Sequence, residues 1–234
     1  MTGNFRTQSD NNLINKNKVV NFTFNGESYQ GFDGDTLASA LIANGVHLVG
    51  RSFKYHRPRG FLGVGVEEPN AMVQLHEGDK SEPNIMATEV EIIEGLKAKS
   101  QNCWPSVKFD IGEINNVLNR FFPAGFYYKT FMWPKSFWMS VYEPIIRKAA
   151  GMGVAPIKPD PDRYEHNYEH CDVLVVGSGP SGLAAALAAA NNGAKVILAE
   201  DKAHFGGSLL TDNVTIGNQS GKEWADETIN HLKS

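Results

Sequence analysis

The chain has 234 residues, 41% of them hydrophobic and 21% charged, with a formal net charge of −4. That length holds one large domain or two small ones, in an ordinary globular composition, and the acidic balance excludes a global basic field for nucleic acid or an anionic membrane. Two cysteines, Cys103 and Cys171, are too few and too far apart for a disulfide framework or a cysteine-ligated metal site.

Residues 1–17 are polar and Asn-rich and lack the apolar core of a secretion signal. They are expected to form a disordered leader on a cytoplasmic protein. Residues 18–98 follow a different pattern. "VVNFTF" and "ESYQGF" flank Asn25-Gly26, the dipeptide that best tolerates the positive φ angles of a type I′ hairpin turn. "DGDTLASALIANGV" is a short helix capped by Asp35 or Thr36 and closed by Gly45. "AMVQLHEG" and "ATEVEIIEG" are expected to be two further strands around a polar turn. The order hairpin, helix, long loop, strand, strand is that of an α+β β-grasp domain of the 2Fe–2S ferredoxin-like kind.

The long loop contains "RSFKYHRPRG", with Arg51, Lys54, His56, Arg57 and Arg59 close together. Glu67, Glu68, Glu77 and Asp79 follow, so a nucleic-acid footprint is not expected. In iron–sulfur β-grasp domains this loop carries closely spaced cysteines that hold the cluster. Residues 45–65 contain none, so the domain is expected to be cluster-less. The basic residues are then assigned a structural or subunit-docking role, through guanidinium forks aimed at fixed acceptors.

Residues 99–156 are expected to be aromatic-rich connecting helices. Pro123, Lys129, Pro134 and Lys135 interrupt any run long enough to cross a membrane. So many rings point to a large packing partner, either another subunit or sequence not contained here. Residues 157–170 form a proline-rich charged linker. His166, His170 and Cys171 lie close together but lack a fourth ligand, so no metal site is assigned.

From residue 171 to 234 the pattern is an α/β dinucleotide-binding unit of Rossmann type, for FAD or NAD(P). An apolar strand runs directly into Gly177-x-Gly179-x-x-Gly182, then an alanine-rich helix to about Asn192, then the second strand "KVILAE". Gly177 permits the tight turn, Gly179 lets a pyrophosphate approach the backbone, and Gly182 lets helix and strand pack closely. The helix N-terminus offers free N–H groups and the positive dipole end. Glu200 ends the second strand, where a carboxylate accepts adenosine ribose hydroxyls and opposes a 2′-phosphate. NAD or FAD is therefore expected rather than NADP. Gly206 and Gly207 follow in "FGGSLL", with Ser181, Asp201, Lys202 and Ser208 as further contact candidates. "GKEWADETINHLKS" closes the unit as an amphipathic helix. With about two strands of the usual six, the dinucleotide domain is expected to be incomplete, the chain being an N-terminal fragment that binds nucleotide weakly and is inactive alone.

Together "DGDTLASALIANGV", "RSFKYHRPRGFLGVGVEEPNAMVQL", "CDVLVVGSGPSGLAAALAAA" and "AEDKAHFGGSLL" resemble the N-terminal part of heterotetrameric sarcosine oxidase alpha subunits, over about residues 19–210. The resemblance implies an oxidoreductase acting on CH–NH donors. It would convert sarcosine to glycine with hydrogen peroxide and formaldehyde or 5,10-methylenetetrahydrofolate. It also implies NAD in this chain, FMN and FAD in the assembled enzyme, and beta, gamma and delta subunits as partners; the cysteine-free loop adds the expectation of no iron–sulfur cluster. Related opine or secondary-amine dehydrogenases share the two-part pattern, and a non-catalytic nucleotide-binding segment is the other alternative. No catalytic residue is assigned.

Overall fold

The alternation of the first apolar run becomes a strand, β1 (Asn15–Phe24), whose Val20, Phe22 and Phe24 are buried while Val19 and Asn21 face outward. Burying each such side chain contributes about 1.5–3 kcal/mol. Asn25 and Gly26 turn the chain with φ of 53° and 81°, and β2 (Glu27–Asp33) returns antiparallel, pairing Phe22 with Tyr29. This computed structural model describes residues 5–6, 13–122, 124–125, 131, 133–149 and 151–233. The chain divides into two units, Met1–Asp162 and Arg163–Ser234.

In the first unit α1 (Leu37–Ala43) lies on the sheet with Leu37, Ala38, Ala40, Leu41 and Ala43 buried. Of the two cap candidates, Thr36 is the N-cap, its hydroxyl oxygen accepting from Ser39 N at 3.1 Å. Asp35, fully buried, instead accepts Phe32 N at 2.8 Å, the Ser39 hydroxyl at 2.7 Å and the Arg6 guanidinium. A short ribbon, β3 (Gly50–Arg51) with β4 (Pro58–Arg59), carries the basic stretch. Next come β5 (Met72–Leu75), β6 (Glu82–Met86) and β7 (Leu96–Ser100). The sheet order is β2-β1-β7-β5-β6, with β7 parallel to β1 and the other pairs antiparallel. A helix laid across a mixed sheet with this order is a β-grasp arrangement.

One expected strand is displaced. "ATEVEIIEG" alternates, yet β6 lies before it and β7 after it. The segment instead wraps the start of α1, where Leu37 N donates to Val90 O at 2.7 Å and Ala38 N to Ala87 O at 2.9 Å. Helix N-termini leave backbone N–H groups without intrahelical partners, and these carbonyls accept two of them. Ile92 is buried and Val90 packs against the same core, which accounts for the apolar alternation, and Ala87 is buried as well.

Beyond Ser100 come short turns of 3-10 helix, α2 (Ile114–Val117), a π-helical turn at Trp138–Tyr142 and α3 (Glu143–Ala149). Phe121, Trp133 and Met139 are exposed. Most of the leader expected at 1–17 and part of the aromatic stretch, residues 126–130 among it, lie outside the described residues. Phe5 and Arg6 are described, and Phe5 N donates to Ala43 O at 3.3 Å.

The second unit has β8 (Val173–Val176), α4 (Pro180–Asn191) and β9 (Val196–Ala199), with β8 and β9 parallel and in register from Val173 with Val196 to Val176 with Ala199. A small ribbon, β10 (Thr215–Ile216) with β11 (Gln219–Ser220), leads into α5 (Gly221–Lys233). Leu183, Leu209 and Ala225 form its core, with Leu198, Trp224, Ile229 and Leu232 packed around them.

Candidate functional site

The turn between β8 and α4 organises the second unit. Gly177 leaves the strand with φ +92°, a left-handed value that favours glycine, and its N–H stays tied to Ala199 O at 2.8 Å. A Cβ on Gly182 would run into the Gly177 carbonyl oxygen, so the close approach of helix and strand requires glycine there. Gly179 differs: a Cβ would meet nothing within 4 Å, and no internal packing demands its absence. Its bare backbone faces space that an approaching group can use. Pro180 opens α4 at a position where its missing N–H costs nothing. A helix start leaves N–H groups without intrahelical acceptors, no side chain caps this one, and the first intrahelical bond runs from Leu183 N to Gly179 O at 2.9 Å.

The second glycine pair abuts the first. Gly206 and Gly207 both have positive φ, 126° and 55°, and a Cβ on Gly207 would lie 2.9 Å from Gly179 Cα. Ser178, fully buried, joins the two segments: its carbonyl and its hydroxyl oxygen each accept from Gly206 N at 3.1 Å. The pattern of expected site residues omits Ser178, because the variable position between two glycines carries no pattern of its own.

Ser178 also sets the state of Glu200. Its N–H donates to Glu200 Oε2 at 2.7 Å, and its hydroxyl donates to the same oxygen. Oε1 accepts from the N–H groups of Asp201 at 3.0 Å and Lys202 at 3.1 Å. The Ser178 hydroxyl, followed by these backbone donors, outweighs burial and holds the Glu200 carboxyl at about 2. Two donors on each oxygen use the acceptor capacity of a carboxylate.

The structure thus brings Gly177, Gly179, Gly182, Gly206, Gly207 and Glu200 together. Ser181, Asp201, Lys202 and Ser208 remain exposed. A cleft of about 790 Å³ lies in the first unit, lined by residues including Tyr29, His56, Trp104 and Asp110. It contains none of the glycine-motif residues, so the nucleotide assignment rests on backbone geometry rather than on cavity size.

In the first unit Arg51, Lys54 and His56 of the basic stretch turn inward, while Arg57 and Arg59 stay exposed. Arg51, 8% exposed, donates to Val107 O at 2.8 Å, His56 O at 3.1 Å, Lys108 O at 3.3 Å and the Glu113 carboxylate at 3.1 Å. Lys54 Nζ and the Tyr55 hydroxyl both donate to Phe122 O, at 2.6 and 2.9 Å. His56 Nδ1 lies 2.6 Å from Asp110 Oδ2, and a Cβ on Gly112 would collide with the imidazole ring. The stretch clasps residues 107–122.

Two domain families match the chain. Residues 17–103 match the 2Fe–2S iron-sulfur cluster binding domain, and residues 172–230 match FAD dependent oxidoreductase. Sarcosine oxidase subunit alpha of Rhizobium meliloti (strain 1021) is 55% identical over 95% of this chain and 22% of its own length. The same subunit of Corynebacterium sp. (strain P-1) is 33% identical over 96% of this chain and 19% of its length. The chain is a homologue of sarcosine oxidase alpha subunits. It spans about a fifth of the length of these curated relatives. Among solved structures, L-proline dehydrogenase from P.horikoshii aligns with a TM-score of 0.47 and 17% identity, covering 96% of this chain and 32% of that one.

The iron–sulfur family implies a cluster that these residues do not fit. Clusters of this kind take four protein ligands, mostly thiolates. Cys103 is the one cysteine within residues 17–103, and burial pushes its thiol up, away from the thiolate form that binds metal. Among the described residues no group of three or more His, Cys, Asp or Glu is arranged to hold a metal ion. No helix among them is long and apolar enough to cross a membrane.

Proposed function

We propose that the second unit binds the adenosine diphosphate half of NAD, within an alpha subunit of a multisubunit sarcosine oxidase. The observation that carries this reading is the contact of Gly207 with Gly179 beside a bare helix N-terminus, with Glu200 fixed at the end of the neighbouring strand. Diphosphate oxygens would take the α4 N–H groups, and the adenosine ribose would exchange onto Glu200. NAD supplies hydride chemistry when bound; the residues here bind and orient its adenosine half, and none is assigned to amine oxidation.

The whole assembly, on this reading, oxidatively demethylates sarcosine to glycine, with hydrogen peroxide and formaldehyde or 5,10-methylenetetrahydrofolate as the other products. FMN and FAD sit elsewhere in it, with beta, gamma and delta subunits as partners. The division of the chain is then a leader at 1–17, a cluster-less β-grasp domain at 18–98, connecting helices at 99–156 that face a partner, a linker at 157–170, and a Rossmann-type unit from 171. A second reading places FAD at the same motif, and the match of residues 172–230 to FAD dependent oxidoreductase favours it.

Saturation-transfer NMR on the 234-residue chain tests the assignment, because it detects weak binding. Millimolar NAD, FAD and ADP-ribose should each receive saturation at adenine and adenosine-ribose protons. Nicotinamide and isoalloxazine protons should receive little. Absence of transfer to adenosine protons from all three ligands overturns the site, and transfer from FAD alone selects the second reading.

A further inference from the structure

The loop from Leu62 to Ala71 is organised around a buried carboxylate. Glu68 is 3% exposed. Its Oε2 accepts the N–H groups of Leu62 at 2.6 Å and Gly63 at 2.7 Å; its Oε1 accepts those of Asn70 at 2.7 Å and Ala71 at 3.2 Å. Donors from both ends of the loop therefore converge on one side chain. Burial pushes the carboxyl up, but the four N–H bonds, Gly63 foremost, outweigh it and hold it below the usual carboxylate range.

Apolar packing does not account for the shape of this loop. Leu62, Val64 and Val66 are 77%, 78% and 71% exposed, so of the loop's hydrophobic side chains only Ala71, at its end, enters the core. The chain doubles back tightly: a Cβ on Gly63 would lie 2.9 Å from Glu67 O, and Gly65 has φ +55°. Outside the loop, the Thr88 hydroxyl donates to Gly65 O at 2.7 Å. Among the described residues no cation pairs with Glu68. The charge is met by backbone N–H dipoles.

Successive backbone N–H groups in turns form concavities that bind anions, iron–sulfur sites among them. This loop lies within the segment matched to a cluster-binding domain, in the connection after the helix, and residues 46–71 contain no cysteine. We infer that the Glu68 carboxylate is a built-in anion filling the N–H nest that such a loop offers to an iron–sulfur cluster, and that it fixes the loop without metal. This rests on the cluster-less reading of the β-grasp domain. Its corollary is a binding site: with the side chain removed, the nest should accept a small carboxylate from solution.

The experiment uses the 234-residue chain. In wild type, the amide resonances of Leu62, Gly63, Asn70 and Ala71 should shift together through one acid titration with a midpoint below about 4.5, the ordinary Glu value. Glu68→Ala should lower Tm by about 5–15 °C. Sodium formate should restore part of that loss saturably, while sodium chloride at equal ionic strength should not. Formate should leave wild type and Glu68→Gln unchanged. Independent titrations of the four amides overturn the inference, as does an Ala variant with unchanged Tm. If that variant does not fold, the wild-type titration alone decides. Anaerobic incubation of wild type with ferrous iron and sulfide separates the two layers. Cluster absorbance near the visible region, with stoichiometric iron, overturns the cluster-less reading. Failure of the amide titration with no iron uptake overturns only the role of Glu68.

Discussion

Ser178 and Glu200 are joined twice, the backbone N–H and the hydroxyl of Ser178 both donating to Glu200 Oε2. The same serine accepts from Gly206 N through both its carbonyl and its hydroxyl oxygen. One buried residue therefore couples the two glycine turns to Glu200.

This coupling gives the second unit an acid limit. The folded carboxyl of Glu200 lies at about 2 against an ordinary 4.5. The fold favours its ionised form, so its contribution is fully present above about 4.5 and is lost as pH falls toward about 2. Glu200→Gln places an amide NH₂ against backbone donors and should cost about 1–3 kcal/mol at pH 7. Amide hydrogen exchange at β8 and β9 reads this locally. Wild-type protection should fall between pH 5 and pH 3, while the Gln variant starts lower and changes less. Parallel pH profiles for the two proteins would contradict the assignment.

The two central glycines should separate folding from binding. Gly182→Ala drives a methyl into the Gly177 carbonyl oxygen, an overpacking expected to cost about 1–3 kcal/mol. Gly179→Ala meets open space at φ −63° and should change stability by less than about 1 kcal/mol. That same methyl stands where a diphosphate would approach, so adenosine-proton saturation should fall at least tenfold. Unfolding curves and saturation-transfer spectra of the two variants check the split. Equal stability losses would remove the distinction.

Nucleotide choice follows from charge. At the proposed site the Glu200 carboxylate would oppose a 2′-phosphate, and Lys202, exposed two residues on, would partly offset it. NADP should bind at least tenfold more weakly than NAD. Lys202→Ala should widen that ratio and leave NAD within about twofold, measured by competition against ADP-ribose. A variant that binds NADP better than wild type does would show that Lys202 does not face the phosphate.

Much of this arrangement was legible in residue order. Strand, glycine spacing and helix fall within a local window, and each glycine answers a local backbone demand, as Gly177 with φ +92° illustrates. Ser178 was not legible: its partners are Glu200 and Gly206, 22 and 28 residues away, and its side chain points into the protein. "ATEVEIIEG" misleads for a related reason. Its alternation records the packing of Val90 and Ile92 against the core that includes α1 and not a place in the sheet. In the sequence Glu68 is only one of several acids that follow the basic stretch, whereas in the structure four donors from the loop backbone single it out.

The basic stretch shows how far charge alone misdirects. Arg51 reaches Val107, Lys108 and Glu113 across 56 to 62 residues, and three of its four partners are backbone carbonyls. A guanidinium presents five donors in a fixed fork, while a lysine ammonium is a compact point charge that cannot span these acceptors. Arg51→Ala and Arg51→Lys should therefore both release residues 103–122, at a cost of about 2–4 kcal/mol for the buried carbonyls left without donors. Limited proteolysis should cut this segment at least tenfold faster in either variant, with the five-stranded sheet still protected. Sodium chloride at 0.5 M should leave wild-type protection unchanged, because buried bonds to carbonyls are little screened. Rapid cleavage of wild type in salt would instead make the clasp a surface ion pair with Glu113, and full rescue by lysine would remove the need for the fork.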